Sequence, residues 1–288
     1  MTKTTAAFSL RATRAWLLAL AATWLAVQAP ARAQVIFSND FETDTSGFAA
    51  GGSLSALSRV SLPIDSGGPS SLNTSMWLGK LGDGVPKSGA SDEIVTLALS
   101  GLTTGQHYHV AFDLLIGASW DGAAGCCGPD SWRLTVDGTT LVETIFSDGQ
   151  QGVNVGAYSP QRYTDQGFLN TTGVDVPRFT GADAFYSANQ GGNYAGDYAI
   201  YYFGHGDGNP VINFTAPGTT ATLEFARYGN TSDSSDEYWA LDNVVITAPE
   251  PEAALLAAAA LLALLGLGAA ARRQDRLLRQ KKGGEPFA

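Results

Sequence analysis

Residues 108–116 alternate: Val110, Phe112, Leu114 and Ile116 fall on one side, His109, Ala111 and Asp113 on the other. A period of two marks a half-buried strand, because successive side chains of an extended chain point to opposite faces. Residues 131–136 repeat the pattern with Trp132, Leu134 and Val136, and Asp137-Gly138 supplies a hairpin turn into a strand over 141–146. Further strands are predicted at 35–41, 75–78, 94–99, 198–203, 211–214, 222–226 and 239–247, separated by stretches rich in Gly, Asn, Asp and Ser. Outside the two ends no window sustains a helical period. Many short strands with turn-rich connections predict an all-β fold, a sandwich or jelly roll. The segment 147–193, rich in Gly, Asn, Gln and Tyr, is expected as a long functional loop.

The ends are of another kind. Lys3, Arg11 and Arg14 precede an apolar run over 15–27, and Ala31-Arg32-Ala33 follows. A positive segment, a short apolar stretch and an Ala-x-Ala site predict a secretory signal peptide over 1–33, with signal peptidase cutting after Ala33. At the other end Pro249-Glu250-Pro251-Glu252 leads into nineteen residues, 253–271, composed only of Ala, Leu and Gly, and then Arg272-Arg273. As a helix at about 1.5 Å per residue this stretch spans about 28 Å, close to one hydrocarbon core. Its basic flank sets the C-terminus on the cytoplasmic side and the domain outside. The segment between, 34–248, has 215 residues, enough for one extracytoplasmic domain with a sizeable core.

Pro249, Glu250 and Pro251, the apolar helix and the pair Arg272 and Arg273 occur in that order, and together they resemble the PEP-CTERM sorting signal of Gram-negative bacteria. The resemblance implies an exosortase as partner, a membrane-embedded cysteine transpeptidase-like enzyme that removes the tail near the Pro-Glu-Pro motif. It also implies a producer of exopolysaccharide or biofilm matrix. The protein is then expected to be anchored in the inner membrane with its domain in the periplasm, and afterwards to reach the cell surface or matrix. Members of that family usually end within a few residues of the arginines, whereas this chain continues to Ala288.

Charge narrows the partners. Residues 34–248 carry 7 basic and 23 acidic side chains, a net charge of −16. So acidic a domain repels phosphate backbones, which argues against nucleic acid and leaves divalent cations or neutral polymers such as polysaccharide. Cys126 and Cys127 are adjacent; they build no disulfide framework and leave open a strained vicinal bond, an intermolecular link or no role.

Phe112-Asp113-Leu114, Ser119-Trp120-Asp121-Gly122 and Pro129-Asp130-Ser131-Trp132 lie between an opening Asn39-Asp40-Phe41-Glu42 and a closing Leu241-Asp242-Asn243-Val244. The arrangement resembles jelly-roll domains of the galactose-binding and carbohydrate-binding-module type. In those domains the first and last strands lie side by side with a structural calcium near their ends. The resemblance implies a structural Ca2+ held by Glu42, Asp40 and Asp242, with backbone carbonyls completing the shell. Sugars bind by aromatic stacking and a few directed hydrogen bonds, and Trp77, Trp120, Trp132, Trp239, Tyr186, Tyr194 and Tyr198 are available. Trp120 beside Asp121, in a loop-like stretch, is the expected ligand-binding platform, whereas Trp132 and Trp239 sit in alternating strands and are expected in the core. Of the three histidines, His107 and His109 share a strand face without a third ligand, and His205 lies in a Gly-rich turn. No Gly-x-Ser-x-Gly elbow accompanies any Ser, His and Asp set. No catalytic residue is therefore assigned. The sequence predicts a non-enzymatic surface or matrix protein, with a carbohydrate-binding module and a secreted hydrolase as the rival readings.

Overall fold

Why the alternating segments become strands is clear from what each buries. The computed structural model describes residues 33–52, 54–61, 75–81, 93–118, 120–123, 129–148, 160–164, 169–170, 174–186, 198–205, 210–228 and 237–248. The chain divides into a compact unit, Val35–Ala248, and a second unit made of Met1–Gln34 and Pro249–Ala288. Residues 1–32 of the expected signal peptide, the sorting tail, Cys126, Cys127 and Tyr194 lie outside the described residues.

Two sheets face each other. The first runs in the order β10 (Ala184–Tyr186), β11 (Tyr198–Phe203), β6 (His107–Ala118), β14 (Glu237–Ala248), β4 (Met76–Leu81) and β3 (Arg59–Ser61); β1 (Gln34–Asn39) pairs with β14, and β12 (Ile212–Thr215) pairs with β6. The second runs β2 (Phe48–Gly52), β5 (Glu93–Ser100), β13 (Thr220–Tyr228), β7 (Ser131–Val136), β8 (Thr139–Ile145) and β9 (Leu169–Asn170). The predicted strands at 131–136 and 198–203 coincide residue for residue with β7 and β11. Asp137 and Gly138 both take positive φ, 47° and 79°, the backbone of a type I′ hairpin turn that suits the right-handed twist of its strands. β2 and β3 are unanticipated: Ala49-Ala50-Gly51-Gly52 has no β-branched residue, and three residues are too few to show a period.

The inner faces bury one aromatic core. Phe112 stacks on Phe203 at 4.7 Å between ring centres and meets Phe225 of the opposite sheet edge-on at 5.4 Å. Trp132 of the second sheet meets Trp239 of the first at 6.2 Å. All five are fully buried, and such pairs contribute ~1 kcal/mol each beyond their buried area. The expectation for Trp132 and Trp239 is thus met. A second apolar cluster, Trp77, Leu115, Tyr198, Ile200 and Ala240, occupies the other face of the first sheet.

One irregularity shapes the site described next. Along β14 the inward positions are Trp239 and Leu241, then Val244 and Ile246. The phase shifts by one because the register with β6 slips between Asp242 and Val245, where Asn243 adopts φ 50°. This bulge inserts a residue on one strand and re-aims its neighbours. Asp242 stays on the outer face beside Asp113, its partner in register on β6.

The segment 147–193 is only partly the loop expected from its composition. Gln161, fully buried, donates to the carbonyls of Tyr163 and Thr180 and accepts from Phe179 N–H and the Tyr201 hydroxyl. One amide thereby ties the described part of this segment to β11.

Candidate functional site

Asn39 ends β1 and organises the turn that follows. Its side-chain carbonyl accepts Phe41 N–H at 2.7 Å and its amide donates to the Ser46 carbonyl at 3.2 Å. Asp44 accepts Ser46 N–H at 2.8 Å, and Asp40 accepts Glu42 N–H at 3.2 Å. Asn and Asp favour such turns because their short side chains substitute for a backbone acceptor two residues on. Gly47, at φ 88°, lets the turn close: a Cβ there would lie 2.7 Å from the Phe37 ring.

Between this turn and the bulge on β14 opens a pocket of about 460 Å³, lined by Asp40, Asp44, Asn39, Asn243, Phe37 and neighbouring hydroxyl residues. The volume lies within the ~300–1,000 Å³ range of small-ligand sites. The hydrogen bonds from the Ser46 backbone and side chain hold the Asp44 carboxyl below its usual range, and Arg59 adds a smaller attraction. It is therefore a carboxylate at any near-neutral pH.

Asn243 connects the pocket to a polar group on the outer face of the first sheet. Its amide donates to Asp113 at 2.8 Å, and His205 reaches the other Asp113 oxygen at 2.8 Å. This hydrogen bond raises the His205 pKa, opposed by burial. Asp183, next in the group, accepts Tyr202 N–H at 2.6 Å and has its pKa raised by burial and by Asp113. Tyr202 lies edge-on to His205 at 6.1 Å. This group meets the pocket through Asn243, which lines it.

The residues expected to hold calcium do not gather as a calcium shell. Asp242 accepts the Ser75 hydroxyl and Asn243 N–H, and Glu42 accepts Met76 N–H at 2.8 Å. The carbonyls of Phe41 and Glu42, natural candidates to complete the shell, both accept from Arg59 Nη1 at 2.8 Å. Asp40, as noted, serves its own turn. Among the described residues, the trio whose carboxylate oxygens lie within 4.8 Å of one another is instead Asp121, Asp130 and Glu237. Asp40, Glu42 and Asp242 are not such a trio. Burial, with smaller contributions from Asp113 and Glu42, pushes the Asp242 pKa from 3.8 to about 7 against the hydrogen bonds from Ser75 and Asn243.

Trp120 and Asp121 require a correction. Trp120 is fully buried, not an exposed platform: its indole N–H donates to the Tyr238 carbonyl at 3.0 Å and its backbone N–H to Asp148 at 2.9 Å. The Arg227 guanidinium lies 5.4 Å above its ring and pairs with Glu237, while Glu93 accepts the Trp239 indole N–H at 3.3 Å. Asp121 N–H donates to Asp130. A loop-like composition around Trp120 hid a buried polar network, because its hydrogen-bond partners are 28 and 118 residues away in sequence. The remaining histidines make separate contacts: His107 with Thr215, His109 with Asn213 and the Gly204 carbonyl. Asn39 and Asn243 were legible only as parts of the opening and closing motifs; the Asp-x-Ser spacing of 44–46 was a local turn signal that could have singled out Asp44.

No protein-family model matches the chain, and no curated protein matches it. Solved structures resemble it weakly. The K1 cleaved adhesin domain of Lys-gingipain from Porphyromonas gingivalis is 12% identical, with TM-score 0.36, over 74% of this chain and 98% of that one. The CBM2 module of the Lactobacillus casei BL23 phage J-1 evolved Dit is 10% identical, with TM-score 0.35, over 77% of this chain and 98% of that one. The insecticidal delta-endotoxin Cry8Ea1 from Bacillus thuringiensis is 11% identical, with TM-score 0.27, over 57% of this chain, which spans only 19% of the toxin. At these scores the likeness decides neither ligand nor activity.

Proposed function

We propose that this is an exported, non-enzymatic envelope protein whose β-sandwich binds carbohydrate of the surrounding matrix. The pocket between the 40–47 turn and Asn243 carries this reading: it is concave, sized for a small ligand, and lined by two carboxylates, two amides, several hydroxyls and Phe37. Carboxylates and hydroxyls offer acceptors and donors to vicinal hydroxyls, and an aromatic face receives the apolar face of a pyranose. The two-sheet topology supports assigning the domain to the jelly-roll type. Delivery rests on the ends: signal peptidase removes 1–33, the helix 253–271 holds the chain in the inner membrane, and an exosortase acts at Pro249-Glu250-Pro251.

Two experiments test the parts separately. Glycan-array binding by the purified protein, weakened when Asn243 is replaced by alanine, is expected if the pocket is the ligand site; an array blank across neutral and charged glycans overturns that half. Substituting Pro249, Glu250 and Pro251 is expected to raise the intact mass of the mature protein and hold it at the inner membrane. Unchanged mass and location overturn the sorting half.

A further inference from the structure

The same pocket is selective in charge. None of its lining residues is basic, while Asp40 and Asp44 both contribute to its wall; Arg59, outside the lining, attracts Asp44 weakly and spends its Nη1 on the Phe41 and Glu42 carbonyls. Asp44 is held ionised by Ser46, and Asp40 is exposed at the mouth. Asn39 spends its amide on the turn itself, so it shapes the wall and leaves the two carboxylates as the charged recognition groups. Nearby Asp113 and Asp183 add negative potential behind Asn243, offset by His205 when that imidazole is protonated. Beyond them the whole segment 34–248 carries a net charge of −16. A uronic acid or a sulfated sugar brought here meets like charge at short range and at long range. A sugar bearing an ammonium group meets the opposite.

We propose that the pocket's ligand is an amino sugar with a free ammonium, a hexosamine unit of a partly or wholly de-acetylated polysaccharide. Its ammonium is bound between Asp40 and Asp44, its hydroxyls by Asn243 and the serine and threonine hydroxyls, and one ring face by Phe37. This assignment rests on the carbohydrate-binding reading and narrows it to one chemical class. A primary ammonium has three donors and two carboxylates can accept from it at once, which an N-acetyl group, with one N–H and no charge, does not match.

The test is calorimetric titration of the full chain, in detergent, with three tetrasaccharides: glucosamine, N-acetylglucosamine, and an alternating uronate-bearing oligomer. Each is measured at pH 6 at low and at physiological salt, with tetralysine as a control for charge alone. The glucosamine oligomer is expected to bind tightest, to weaken as salt rises, and to lose about fivefold in affinity with either Asp40→Asn or Asp44→Asn. The uronate oligomer is expected not to bind. Asp44 also closes the turn, so each variant's melting temperature is recorded, and the salt dependence of the unmodified protein gives a variant-free arm. Equal or tighter binding of the N-acetylated or uronate oligomer overturns the ammonium assignment and leaves the carbohydrate reading standing. Tetralysine binding as tightly as the glucosamine oligomer, with neither affected by the variants, overturns the assignment as well. Binding of no oligosaccharide overturns both.

Discussion

Replacing Asp242 with asparagine removes a charge from a place where the fold disfavours it. The residue is 1% exposed, and burial raises its pKa to about 7, helped by Asp113 and Glu42. In the unfolded chain an aspartate ionises near 3.9. Between those values the folded protein keeps a proton that the unfolded chain has released. Stability therefore falls as pH rises from about 4 to about 7 and is level above that, so far as this group is concerned. Three pH units at 1.36 kcal/mol each set a ceiling of about 4 kcal/mol on the effect. Asparagine keeps the shape of the protonated acid: it still accepts Asn243 N–H and can donate to the Ser75 hydroxyl. The asparagine variant should thus gain on the unmodified protein by about 3 kcal/mol between pH 4.5 and pH 8. Urea unfolding followed by tryptophan fluorescence at the two pH values measures this. His205, whose pKa is raised by Asp113, also loses stabilisation as pH climbs past its folded value, but it is present in both proteins and largely cancels in the difference. A gap between the two proteins that stays constant across this range would refute the placement of Asp242 as a buried, proton-holding neighbour of Asp113.

Other expectations follow from the same packing. Trp132→Ala opens a cavity where the two sheets meet and should cost ~3–5 kcal/mol, read as a large fall in melting temperature. Arg227→Met leaves Glu237 and Glu93 buried without their cation and should cost ~3–5 kcal/mol; restoring most of that loss by a second change, Glu237→Gln, is the signature of charge burial rather than lost packing. Arg59→Ala removes two hydrogen bonds to the Phe41 and Glu42 carbonyls and should lower stability by ~1–2 kcal/mol. Glu42→Gln should leave any calcium-dependent rise in melting temperature unaltered, since Glu42 is engaged by Met76 N–H and Asp242 by Ser75 and Asn243. A calcium response that the substitution abolishes would reverse that conclusion.

Which parts of this protein are written in local sequence follows from the range of the physics involved. Strand identity needs only the period of two and the turn residues, so 131–136, 198–203 and the Asp137-Gly138 hairpin are legible directly, as is the all-β class. The burial of Trp132 and Trp239 follows from the same alternation. The expected signal peptide and sorting tail are likewise read from local composition and order alone. Tertiary structure alone decided the rest. Trp120 looked like a surface residue until Tyr238 and Asp148 enclosed it from across the fold. The surroundings of Asp242 are equally non-local: the Ser75 hydroxyl that it accepts lies 167 residues away, and Asp113 faces it from β6. The pocket depends on a one-residue bulge at Asn243 meeting a turn near the other end of the domain. No local pattern specifies such a meeting, because it is set by which strands pair and in what register, and that choice is made by burying the shared core.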